Sequence, residues 1–212
     1  MTRSVIFDCD GVLVDTEHIS NTVLAGLLTD AGLPTTLEDC MRDYRGRAMP
    51  SVLALATQRH GGPLPDDLSD RYYAAVNEVF ARELQPVPGV VAALERIDLP
   101  SCVASSGPHH KMALTLRRAG LWERFEGRIF SATEVRHGKP APDLFLYAAQ
   151  RMGFDPATTA VVEDSVPGIE AARAAGMRAL AFARHTEADV LAAAGGEPFG
   201  DMAELPGLLA PA

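Results

Sequence analysis

Arg3-Ser4-Val5-Ile6-Phe7-Asp8-Cys9-Asp10-Gly11-Val12 is the stretch from which the fold is read. Its apolar run has the length and composition of a short buried strand. Two acids interrupt it at once. Side chains two residues apart on an extended chain point to the same side, so Asp8 and Asp10 face one another's surroundings. Two carboxylates on one side repel unless a cation or a proton lies between them. Gly11 lets the chain turn sharply away.

The next long pattern is helical. Ile19, Val23, Leu24, Leu27, Leu28 and Ala31 share one face, and Gly32 stops the run. Further helical patterns run over 37–44, 50–60 and 68–84, and no strand pattern occurs over 16–84. From Pro86 onward, apolar runs at 101–104, 128–131, 160–162 and 178–182 alternate with helical patterns. That alternation predicts right-handed βαβ units on a parallel sheet. Gly32, Gly120, Gly153 and Gly176 each follow a helical run and precede an apolar residue, the signature of a left-handed helix cap. The expected architecture is α/β: a parallel-sheet, Rossmann-like core of residues 1–15 and 85–212, with an all-helical domain inserted at 16–84.

Three later pieces match the first in kind. Val103-Ala104-Ser105-Ser106-Gly107 ends one strand, Lys139-Pro140 precedes a helix, and Val161-Val162-Glu163-Asp164 ends another strand. Ligands bind at the carboxyl ends of strands in an open parallel sheet. There Asp8, ionised at neutral pH, can attack phosphorus without a base, and Asp10 can exchange a proton with the leaving oxygen. Asp8, Asp10, Glu163 and Asp164 supply the hard oxygen ligands that Mg²⁺ prefers. Ser105, Ser106 and Gly107 offer a hydroxyl and N–H groups ahead of a helix, and Lys139 offers a fixed cation. Phosphoryl transfer needs just such positioning and charge neutralisation.

In this order and spacing the four pieces resemble the motifs of haloacid dehalogenase (HAD) superfamily phosphatases with a helical cap. The resemblance runs to the β-phosphoglucomutase-like and phosphosugar-phosphatase group, including 6-phosphogluconate phosphatase-like enzymes, and covers nearly the whole chain. It implies that Asp8 is the nucleophile, Asp10 the general acid/base, and Ser105 and Lys139 the phosphate-binding pair. It implies that Asp164, with Glu163 near or on the ion, completes a Mg²⁺ site. Dehalogenase chemistry is disfavoured, because that branch lacks an acid at the place of Asp10. The cap segment Tyr44-Arg45-Gly46-Arg47-Ala48-Met49 has Met49 where β-phosphoglucomutases carry an Arg, which weakens a mutase reading. Arg45 and Arg47 are candidate anion contacts, with solvated cap arginines as the equal alternative. His18, His109 and His110 could touch substrate, but their spacing does not demand it and a surface or hinge role is the default. The expected function is Mg²⁺-dependent hydrolysis of a small phosphorylated sugar or sugar acid through an aspartyl phosphate. Its rivals are a phosphoryl-shuttling isomerase and a binding or regulatory protein of weak activity.

The bulk composition fits an ordinary soluble globular protein rather than a disordered one. The chain has 212 residues, 47% hydrophobic and 22% charged, with a net charge of −9. That balance argues against nucleic acid and membrane as partners. It also requires local positive charge where an anionic metabolite binds. Cys9, Cys40 and Cys102 have neither disulfide nor zinc spacing and are expected to be small buried residues. The acids at 8 and 10 interrupt the first apolar stretch, so no signal peptide is expected, and the chain is placed in the cytoplasm as a monomer or dimer.

Overall fold

The computed structural model describes residues 1–44 and 49–210. The chain divides into two compact units, one of residues 1–15 with 85–212 and one of residues 16–84. Strand β1 (Ser4–Phe7) opens the first unit and is fully buried. The second unit holds α1 (Glu17–Asp30), α2 (Leu37–Asp43), α3 (Met49–His60) and α4 (Leu68–Glu83). The chain then returns to the first unit through α5 (Val90–Glu95), β2 (Ser101–Ser105), α6 (His109–Arg118), α7 (Trp122–Phe125) and β3 (Ile129–Ser131). It continues through α8 (Asp143–Met152), β4 (Thr159–Glu163), α9 (Val166–Ala174), β5 (Arg178–Phe182), α10 (Ala188–Ala193), β6 (Glu197–Phe199) and α11 (Leu205–Leu209).

All pairings are parallel and the strand order is β3-β2-β1-β4-β5-β6. The first three strands step outward one way from β1, and β4 to β6 step the other way. Parallel strands covered on both faces read as unbroken apolar runs, which is why β1, β2 and β4 are buried at every position. Successive side chains leave opposite faces. Ile6, Cys102, Ala104 and Val161 pack with Phe145 and Ala148 of α8 and Ile169 and Ala172 of α9. Phe7, on the other face of β1, meets Phe125 edge-on at 5.9 Å between ring centroids.

In the helical unit, Leu24, Ala25, Leu28, Cys40, Tyr44, Val52, Ala56 and Leu68 form a core of their own. The buried stripe of α1 is Asn21, Leu24, Ala25 and Leu28, slightly rotated from the apolar face read in the sequence. Asn21 is tolerated there because its amide donates to the Glu17 carbonyl at 2.8 Å. α2 begins with a capping box between Thr36 and Asp39, which satisfies two of the N–H groups that a helix start leaves without intrahelical partners.

Gly32, Gly120, Gly153 and Gly176 all adopt positive φ, as their pattern predicts. The three cysteines are free and buried. Burial pushes the Cys102 thiol up to about 12. Strand β6 was not legible, since Glu-Pro-Phe is no apolar run. Proline is accepted there because β6 is an edge strand. Among the described residues no helix is long and apolar enough to cross a membrane.

Phe145 is fully buried in α8 and joins that helix to the sheet. Phe145→Ala is expected to cost about 3–5 kcal/mol, by lost transfer energy plus the cavity left behind. Urea unfolding, with the midpoint lowered and the slope unchanged, measures it.

Candidate active site

β1 and β4 are neighbours where the strand order changes direction, the place where an open α/β sheet leaves a crevice beyond its carboxyl ends. Their register sets Phe7 beside Val162, so Asp8 and Glu163 leave the sheet side by side. Asp8 still donates its N–H to the Val162 carbonyl at 3.0 Å. Lys139, in the loop between β3 and α8, places Nζ between the two acids. It lies 2.5 Å from Asp8 Oδ1 and 2.6 Å from Glu163 Oε1. The Lys139 side chain is only 6% exposed, and its ammonium lies 5.0 Å from the Phe145 ring centroid.

The rest of the Glu163 carboxylate is also engaged. Oε2 accepts from the Asp164 and Ser165 N–H groups at 2.9 Å and from Ser165 Oγ at 2.8 Å. Ser165 in turn caps α9 by accepting from the Gly168 N–H at 3.2 Å. A Cβ on Gly168 would fall 1.9 Å from the Glu163 carboxyl carbon, so only glycine lets Glu163 lie there.

Alternation at the strand end sends Asp164 the other way. It lies against Gly11, where a Cβ would come 2.1 Å from Asp164 Oδ2. Gly11 has φ 78°, so the turn after Asp10 needs glycine twice over, for its backbone angle and for its missing side chain.

Asp10 Oδ2 accepts from Lys111 Nζ at 2.7 Å. Its Oδ1 is buried with no hydrogen-bond partner among the described residues. Ser105 is buried, and its Oγ accepts from the Gly107 N–H at 3.2 Å. Ser131 Oγ donates to the Gly107 carbonyl at 2.8 Å, pinning the loop to the end of β3. A Cβ on Gly107 would lie 3.6 Å from Ser105 Oγ and 3.8 Å from Asp10 Oδ2, so the two pieces meet. Ser106 is exposed.

The electrostatics follow from the crowding. Burial pushes the Asp8 carboxyl up to about 7, Lys139 opposes this, and the charges of Glu163 and Asp10 add to it. Burial alone would lower Lys139, but Asp8 and Glu163 outweigh it and hold the ammonium above its ordinary value. The ammonium is thus firmly charged, and Asp8 is the member of the triad that an added cation would tip towards ionisation.

The four acids do not gather into one cage. Among the described residues no three His, Cys, Asp or Glu side chains are placed to hold a metal ion together. Arg45 and Arg47 lie outside the described residues. His18 is an exposed residue of α1 in the helical unit. His109 and His110 line a cavity of about 450 Å³ with Trp122, Phe130, Glu134 and Arg151, and His109 Nε2 lies 2.8 Å from Glu134 Oε2. None of the lining residues belongs to the strand-end cluster. Lys111 was not anticipated. A cation in the first turn of a helix opposes the helix dipole and reads as an ordinary surface lysine.

Residues 2–176 match the haloacid dehalogenase-like hydrolase family. The chain belongs to that family. It is 30% identical over 181 residues to 6-phosphogluconate phosphatase of Escherichia coli strain K12, covering 85% of this chain and 82% of that protein. It is 33% identical over 181 residues to the phosphorylated carbohydrates phosphatase of Thermotoga maritima, covering 82% of each. Among solved structures, a conserved haloacid dehalogenase-like protein of unknown function from Agrobacterium tumefaciens superposes with a TM-score of 0.91. That protein is 37% identical, with 99% of this chain and 98% of the other covered.

In this HAD-like hydrolase, the glycine at 168 should be as stringent as any acid. Gly168→Ala drives a methyl into Glu163, and overpacking of this kind costs about 1–3 kcal/mol. Gly207→Ala, at an exposed position of α11 with open space around it, should be neutral or slightly stabilising. Thermal melting of the two variants side by side checks both.

Proposed function

We propose that this protein hydrolyses a small phosphate monoester, a phosphorylated sugar or sugar acid, with Mg²⁺ and through an aspartyl phosphate on Asp8. The observation that carries the reading is Lys139 bridging Asp8 and Glu163 beyond β1 and β4, with Asp10 two residues further on. The relatives' names, 6-phosphogluconate phosphatase and phosphorylated carbohydrates phosphatase, support the substrate class.

The residues suit Mg²⁺. That ion takes one or two protein carboxylates and fills its remaining positions with water and substrate oxygens. Asp8 and Asp164 would provide the carboxylates, and the Asp10 carbonyl a further oxygen. Glu163, with both oxygens already engaged, is assigned instead to holding Lys139. Asp8, Asp10 and Glu163 face the ammonium groups of Lys139 and Lys111, and the raised Asp8 pKa comes first from burial, with the charges of Glu163 and Asp10 adding to it against Lys139. When bound, the ion would neutralise charge on the phosphoryl oxygens and keep Asp8 ionised.

The chain's own groups then act in two steps. An Asp8 carboxylate oxygen bonds to phosphorus as the ester P–O bond breaks, and Asp10 gives its proton to the leaving oxygen. Water then loses a proton to Asp10 and bonds to phosphorus. The Asp8–phosphorus bond breaks, freeing inorganic phosphate and the carboxylate. Lys139 and the Ser105–Gly107 loop hold the phosphoryl oxygens while charge develops on them.

Asp8→Asn tests the nucleophile. An amide cannot attack phosphorus, and the fold should survive because Lys139 keeps Glu163 as a one-to-one partner. Phosphate release from a panel of sugar phosphates should vanish while the melting temperature stays close to that of the unaltered protein. Retention of more than about a tenth of kcat, only ~1.4 kcal/mol of barrier, would overturn the assignment. Activity should also disappear on stripping with a chelator and return with Mg²⁺. Full activity in excess chelator would remove the ion from the mechanism.

A further inference from the structure

We infer that Lys111 is a positioning residue for Asp10, fixing one oxygen of the general acid so that the other is left for the leaving oxygen of the substrate. The inference rests on the phosphatase reading above and extends it to a residue outside the four strand-end motifs.

Three features of Lys111 point the same way. First, it stands in the first turn of α6, with His109 and His110 before it and no acidic residue in that turn. A cation there is disfavoured by the helix dipole, so its position needs a compensating partner. Asp10 Oδ2 is that partner, at 2.7 Å across a sequence separation of 101 residues.

Second, the path of the side chain is built for this contact. Side chains on a helix lean back towards its N-terminus, which carries Lys111 over the Ser105–Gly107 loop. Lys111 Cδ lies 3.5 Å, and Asp10 Oδ2 3.8 Å, from where a Gly107 Cβ would be. Both are ordinary van der Waals distances, so the lysine stem and the aspartate oxygen meet alongside Gly107. The loop is itself held by Ser131 through the Gly107 carbonyl and by Pro108, whose carbonyl accepts from the Lys111 N–H at 3.1 Å.

Third, Asp10 is held at one end only. Oδ2 has Lys111, while Oδ1 is buried with no partner among the described residues. A buried carboxylate oxygen without a donor is costly. An incoming hydroxyl or ester oxygen sharing a proton with it would satisfy it. The ion pair itself is about a quarter exposed on both sides, and pairs of that kind add little to stability. Its consequence is orientation. Without Lys111 the Asp10 carboxylate is free to rotate, and a proton donor must be within hydrogen-bond reach to act.

The test is leaving-group dependence. Glycerol phosphate has a poor leaving group that must be protonated, and para-nitrophenyl phosphate has a good one that need not be. General acid catalysis contributes about 10²–10⁴-fold, so Lys111→Met should lower kcat on glycerol phosphate by about ten- to a hundred-fold. On para-nitrophenyl phosphate the loss should be about threefold or less, with KM little changed on either, and Lys111→Arg should restore most of the difference. Adding Lys111→Met to Asp10→Asn should cost nothing further on glycerol phosphate, since two residues acting through one group are not additive. Melting curves confirm that each variant is folded. Equal losses on both esters with a raised KM would mean that Lys111 binds the phosphate directly, and would overturn the inference. No loss on either ester would overturn it as well. If Asp10→Asn itself loses rate equally on both esters, the acid/base reading of Asp10 fails and the inference falls with it. If Asp10→Asn discriminates and Lys111→Met does not, only the inference fails.

Discussion

The contact on which the site depends is the buried ammonium of Lys139 between Asp8 and Glu163. It joins segments 131 and 24 residues apart in sequence. Taking three charges out of water is expensive, and removing the one ammonium would leave two buried acids uncompensated, a loss of about 3–5 kcal/mol. Lys139 is therefore hard to dispense with on two counts. Its neighbours need it for the folded state, and any transferring phosphoryl group would need it for charge. The Phe145 ring beneath it ties this polar knot to the apolar core of α8. Disturbance of that core would be felt in the alignment of the acids.

The two acids after β4 show how one strand end yields two roles. Strand alternation turns Glu163 and Asp164 to opposite sides. Each then rests where a glycine on a neighbouring segment leaves room: Gly168 on α9 for Glu163, and Gly11 after β1 for Asp164. Glu163 spends its oxygens on Lys139 and on the start of α9, which makes it a fixed support. Asp164 lies beside the turn that carries Asp10. The division follows from backbone geometry and from two missing methyl groups, and needs no difference in chemistry between aspartate and glutamate.

Much of this was legible in the sequence, for physical reasons. Buried parallel strands must be continuous apolar runs, so β1, β2, β4 and β5 stood out. Helices over 16–84 were marked by their period and their glycine stops. Asp8, Glu163 and Asp164 each had an ordinary reading as a capping or solvated strand-end acid, and they stood out only because several such acids follow buried runs in one chain together with Ser105 and Lys139. What stayed hidden lacked such a constraint. Three-residue β6 carries proline at a sheet edge, and α7 and α11 have four and five residues. The engagement of Glu163 by Ser165 was half visible, since Ser165 suited a cap. Nothing in one dimension said that the same hydroxyl would also donate to the glutamate.

Lys111 is the instructive omission. Local rules place acids, not bases, at the start of a helix, so a lysine there looks like a solvated residue of no consequence. Sequences that fold well satisfy their local rules nearly everywhere, and departures from them concentrate at functional sites. α6 departs with three basic or titratable residues in succession, His109, His110 and Lys111. His109 is accounted for by Glu134. Lys111 is accounted for by Asp10, a residue that helical periodicity could never have connected to it, because the pairing depends on β1 and β2 lying side by side. The sheet register, set by apolar burial, brings an awkward cation to a half-buried anion. Each relieves the electrostatic difficulty of the other, and the result is an aspartate with one oxygen held by Lys111 and the other buried without a partner among the described residues.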